Sequence, residues 1–98
     1  MAKLALYVHL KAKSGKNAEA EAFLKSALPM AQKETATVTW YAFTEAEGSY
    51  GIFDTFDSEA GRQAHLDGAI AKALGARASE LFAEPPQIHK ITLLADKH

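Results

Sequence analysis

Cysteine is absent from the 98 residues. That excludes disulfides, thiolate nucleophiles and Cys-based zinc or iron–sulfur sites. There is no excess of either charge: 11 Lys plus Arg stand against 12 Asp plus Glu, for a formal net charge of -1. A nucleic-acid or anionic-membrane surface wants a basic excess, so neither partner is expected. No apolar run approaches the ~18 residues of a membrane span. The opening Met1-Ala2-Lys3-Leu4-Ala5-Leu6 lacks the long apolar core of a signal peptide, so the cytoplasm is the expected location. There is no glycine-rich phosphate loop, no dinucleotide fingerprint and no Gly-x-Ser-x-Gly elbow. His9, His65, His89 and His98 are too far apart for metal-ligand spacing. No flavin, nicotinamide, metal or other cofactor is expected.

What is present reads as one small α+β domain. The 98 residues are enough for one domain and not two, and the 48% of hydrophobic residues is that of an ordinary globular protein. Residues 3–12 alternate, with Leu4, Leu6, Val8, Leu10 and Ala12 on one face and Ala5, Tyr7, His9 and Lys11 on the other, which is a strand. After Ser14-Gly15 the period changes. Ala20, Phe23, Leu24, Ala27, Leu28 and Ala31 form the stripe of an amphipathic helix, with Glu19, Glu21 and Lys25 off it and Pro29 bending or ending it. Residues 36–44 and 50–56 read as a hairpin around a short loop, 45–49. Asp57-Ser58 signals the cap of a second helix, expected over 59–74 with Gly75 as its stop. A further helical turn is expected over 77–82, and a last strand over 87–95 after Pro85-Pro86.

The order β-α-β-β-α-β predicts a ferredoxin-like unit, an antiparallel sheet with both helices on one face. The other face should then be polar, yet rings fall on both: Trp40 and Ala42 alternate with Tyr41 and Phe43, and Tyr50, Ile52 and Phe56 with Phe53. A ring-rich open face usually marks an interface, and two copies packed sheet to sheet are the simplest remedy. A homodimer is expected.

The second helix carries the candidate chemistry. Gly61, Ala64, His65, Gly68, Ala71 and Gly75 share one side at helical spacing. Glycine in a helix interior costs roughly 1 kcal/mol relative to alanine, so something requires small side chains there. That is either close backbone packing or a cavity with one imidazole projecting into it. His65 could serve as a general base or as a hydrogen-bonded structural residue. Asp54, on an apolar strand, needs a partner if buried; His9, Lys11 and Lys90 are candidates. Trp40, Tyr50, Phe53 and Phe56 could form a flat wall for a planar ligand or simply be core.

Two segments carry a family resemblance. Leu10-Lys11-Ala12-Lys13-Ser14-Gly15-Lys16 resembles the strand-to-helix opening of the antibiotic biosynthesis monooxygenase superfamily. Phe53-Asp54-Thr55-Phe56-Asp57-Ser58-Glu59-Ala60, with Gln63-Ala64-His65-Leu66, is similar to its strand–helix signature. The resemblance implies a dimeric α+β barrel and a cofactor-independent oxygenase acting on a phenol, quinol or aromatic polyketide. His65 would be the base, Trp40, Tyr50, Phe53, Phe56, Gly61, Ala64 and Gly68 the substrate walls, and His9 and Asp54 the supporting polar groups. The chain departs from the superfamily's heme-degrading branch, with Val8 or His9 in place of its Asn, His65 in place of its Trp, and Gly75 in place of its iron-ligating His. It also has Gly68-Ala69-Ile70 where many members carry a second His. A non-catalytic barrel binding a small hydrophobic molecule, or an isomerase or lyase, would use the same scaffold.

Overall fold

The alternating segment near the N-terminus forms β1 (Leu4–Lys11), an inner strand of a four-stranded sheet. The computed structural model describes residues 3–97, so His98 lies outside it. Then follow α1 (Asn17–Ser26), α2 (Leu28–Gln32), β2 (Thr37–Ala46), β3 (Ser49–Phe56), α3 (Glu59–Leu66), α4 (Ala69–Leu81) and β4 (Gln87–Thr92). The sheet order is β2-β3-β1-β4, with every neighbouring pair antiparallel. This is the expected ferredoxin-like α+β fold.

The expected inner face of β1 is the core face. Val8 and Leu10 pack with Tyr50 and Ile52 of β3, with Ala20, Phe23 and Leu24 of α1, and with Leu74 and Leu81 of α4. Burying each large apolar side chain contributes roughly 1.5–3 kcal/mol. On the opposite face the register sets Tyr7 beside Phe53 and His89, and Phe53 beside Tyr41. Tyr7 stacks on Phe43 and His89, with centroids 6.3 and 5.6 Å apart. The Phe43 ring lies over Gly51, where an added Cβ would sit 2.4 Å from it. Tyr41 remains 57% exposed. The second sheet face is therefore aromatic and largely open.

Both helices expected as single elements are broken in two. The first breaks at Ala27, and Pro29 sits in the first turn of α2, where its missing N–H is no loss. The second ends at Asp67, and Gly68 restarts the chain with extended backbone (φ -90°, ψ -172°) as the N-cap of α4. A side chain at Gly68 would crowd the Glu34 carboxylate, 3.3 Å from an ideal Cβ. Gly75 is not a stop. It lies inside α4, which absorbs the turn expected over 77–82. The hairpin loop tightens to Glu47-Gly48, with Gly48 at φ 79°. The last strand ends at Thr92 rather than Ala95.

Two substitutions of opposite sign test this account of the helices. Ser58 Oγ accepts the Gly61 N–H at 3.0 Å and caps α3, so Ser58→Ala should cost about 1 kcal/mol in urea unfolding. Gly75 has open space where a Cβ would go, so Gly75→Ala should stabilise by about 0.5–1 kcal/mol.

Candidate functional site

Beneath α3 lies a cluster of three buried or half-buried ionisable groups. His65 projects from the last turn of α3 onto the sheet. Its Nδ1 is 2.6 Å from Glu34 Oε1, and its Nε2 is 2.9 Å from Asp54 Oδ2. Glu34 comes from the connection between α2 and β2, and its Oε1 also accepts the Thr37 hydroxyl at 2.7 Å. Asp54, on β3, is fully buried, and neither of its oxygens accepts an aligned hydrogen bond among the described residues. The Asp54–His65 approach is thus a charge contact. The Phe56 ring closes the group, tilted against the imidazole at 5.4 Å.

The electrostatics follow from that geometry. Burial alone would push the His65 pKa down, but Asp54 and Glu34 outweigh it and raise it from 6.5 to about 9. Burial pushes the Asp54 carboxyl above the ordinary range, against the pull of His65. With its pKa raised to about 9, the ring carries a proton on each nitrogen at neutral pH and faces an acidic side chain on either side. A general base needs a free lone pair, and in this arrangement His65 has none.

A separate cavity of about 460 Å3 opens between α1 and the β2–β3 hairpin. Leu24, Leu28, Trp40 and Ala42 give it apolar walls, and Glu21, Lys25, Thr44 and Tyr50 supply polar groups. Tyr50 is almost wholly buried and donates its hydroxyl to Glu21 Oε2 at 2.9 Å. Burial and the Glu21 carboxylate both raise the Tyr50 pKa, so the phenol stays protonated. The buried indole Nε1 of Trp40 has no hydrogen-bond partner among the described residues.

The structure brings only some of the sequence candidates together. Trp40 and Tyr50 line the cavity. Phe53 lies on the open sheet face, and Phe56 packs on His65. Gly61 lies against Ala36, with an ideal Cβ 3.2 Å from that methyl. Gly68 lies against Glu34, and Ala64 is exposed. The small residues at 61 and 68 thus answer to close packing. His9 is on the open face, 3.4 Å from Glu45, and the partner of Asp54 is His65 rather than His9, Lys11 or Lys90. Sequence reasoning missed Glu34, which sits in a connection with no periodic signal. It also passed over Glu21 and Lys25, whose i,i+4 spacing off the apolar stripe was the available sign.

Comparison with solved structures gives a strong match. A Nitrosomonas europaea protein of unknown function, NE2512, is 51% identical, with a TM-score of 0.97, over 100% of this chain and 95% of that one. The chain belongs to the family of NE2512. Rv0793 from Mycobacterium tuberculosis shares the fold at 14% identity and a TM-score of 0.87, over 99% of this chain and 100% of that one. So does a Caulobacter crescentus protein provisionally named an antibiotic biosynthesis monooxygenase, at 20% identity and a TM-score of 0.82, over 96% and 92% of the two chains. No protein-family model matches the chain, and no curated protein does. Among the described residues no helix is long and apolar enough to cross a membrane.

The cluster predicts a pH signature. The folded pKa of His65 lies above its ordinary value. Its contribution to stability is therefore fully present below about pH 6.5 and is lost as pH rises through about 9. Asp54 is raised as well, so its ionisation also costs stability as pH rises, beginning nearer the ordinary carboxylate range. Urea unfolding should show stability falling between pH 6.5 and 9, and His65→Gln should flatten that fall. His65→Ala, which leaves two carboxylates facing an unpaired site, should cost about 3–5 kcal/mol. A wild-type profile level across this window would refute the assignment.

Proposed function

We propose that the protein is a homodimeric α+β barrel that holds a small hydroxylated aromatic in the cavity between α1 and the β2–β3 hairpin. On this reading it oxygenates that ligand without a cofactor, in the cytoplasm. The observation that carries it is the cavity itself, with apolar walls and the Tyr50–Glu21 pair among its polar groups. Its size suits a one- or two-ring compound. The fold shared with the Caulobacter protein supports the same direction. Pairing of the open aromatic face with its copy would remove Tyr41 and its neighbours from water.

In this mechanism a phenol lies against Trp40 with its hydroxyl toward Glu21. Glu21 accepts the phenolic proton as an electron leaves the ring, since a carboxylate holds an intact phenol protonated, as it does Tyr50, and His65 does not line the cavity. The electron-rich ring passes electrons to O2. One oxygen atom bonds to a ring carbon and the other leaves as water, so a phenol becomes a quinone and no outside reductant is needed. The chain supplies orientation, desolvation and proton transfer.

The saturation of His65 favours a second reading, a barrel that binds such a molecule without turning it over. Oxygen uptake on a panel of hydroquinones and hydroxylated naphthalenes, corrected for autoxidation, separates the two. The oxygenase reading expects protein-dependent uptake that falls about 10²-fold in Glu21→Gln. Binding with no uptake across the panel would leave only the second reading. The dimer is tested by light scattering: the wild type should have twice the chain mass, and Phe53→Glu on the open face should be monomeric.

A further inference from the structure

An exposed lysine at the cavity, Lys25, forms no ion pair among the described residues. Glu21 and Lys25 lie one turn apart on α1, in the order that favours an i,i+4 ion pair. They do not form one. Glu21 accepts the Tyr50 hydroxyl, and Lys25 makes no ion pair among the described residues. Both nonetheless line the cavity. Beside the Thr44 and Tyr50 hydroxyls, the charged groups are a carboxylate already holding one phenol and an ammonium outside any ion pair among the described residues. Their backbone positions are roughly 6 Å apart along the helix axis. Leu24, Leu28 and Trp40 are among the apolar residues that line the same cavity. A neutral ligand would use the walls and Glu21 and leave the ammonium idle.

We infer that the ligand of this cavity is a hydroxyaryl carboxylate, its ring against Trp40, its hydroxyl donating to Glu21 and its carboxylate paired with Lys25. This rests on the small-aromatic reading above and narrows it to an acidic ligand. The orientation is fixed by charge. Glu47 acts on Tyr50 alongside Glu21, so a ligand carboxylate is repelled from the Tyr50 end and drawn to the Lys25 end. A hydroxyl tolerates the acidic end because it donates.

Three probes of one ring size test the inference on the full chain: 6-hydroxy-2-naphthoate, 2-naphthoate and 2-naphthol. Trp40, the chain's one tryptophan, reports occupancy through its fluorescence. The hydroxynaphthoate should bind about five-fold tighter than the naphthol at low salt, and the advantage should shrink as salt is added. Lys25→Met should weaken both carboxylates about five-fold and leave the naphthol unchanged. Glu21→Gln should weaken the hydroxylated probes and spare the naphthoate. If naphthol binds as tightly as hydroxynaphthoate, or if Lys25→Met shifts all three alike, the acidic ligand is overturned while the cavity remains a small-aromatic site. If none of the three binds, both readings fall.

Discussion

The contact between His65 and its two carboxylates holds three separate parts of the chain in register. Asp54 comes from an inner strand, Glu34 from the connection into the edge strand β2, and His65 from α3. Burying a carboxylate alone is expensive, and burying one beside a second of like charge is worse. The imidazolium makes the arrangement tenable by facing one oxygen with each nitrogen. A side chain at Gly68, where the helix breaks, would crowd the Ala64 carbonyl at 3.2 Å and the Glu34 carboxylate at 3.3 Å. Phe56 packs its ring against the imidazole. His65 thus bridges three elements under α3, apart from the cavity that opens beside α1.

Much of the architecture was legible in the sequence because it depends on period and punctuation. Alternation in residues 3–12 located β1 and its buried face, and the β-branched and aromatic run located the hairpin. Ring residues on both sheet faces make the problem of the open face visible in the sequence. The helix breaks were less visible. Pro29 signalled the first, but Asp67-Gly68 competes with Gly75 as a stopping point on local propensity alone. Glu34 lies beside Gly68, a tertiary neighbour that no window of sequence contains.

The site was legible in its residue types and not in its pairings. His65 and Asp54 both stood out, yet nothing local says that they meet, since 10 residues, the cap Ser58 among them, lie between them. Glu34 was invisible because a carboxylate in a connection is ordinarily solvated. Trp40 and Tyr50 were drawn to a ligand wall for their rings, and the fold sets them at one cavity with Glu21 and Lys25. The glycines had two readings, and close packing describes Gly61 and Gly68. A rule that reads small residues around a histidine as a pocket fails where a loop fills the space.

The measurement that bears most directly on this account is the protonation state of His65, read from its ring carbon and nitrogen chemical shifts in labelled protein across pH. The account predicts an imidazolium at pH 7 that titrates near 9, above the ordinary value of 6.5. A ring that is neutral at pH 7, with one nitrogen carrying a free lone pair, would contradict it and return His65 to the list of available bases.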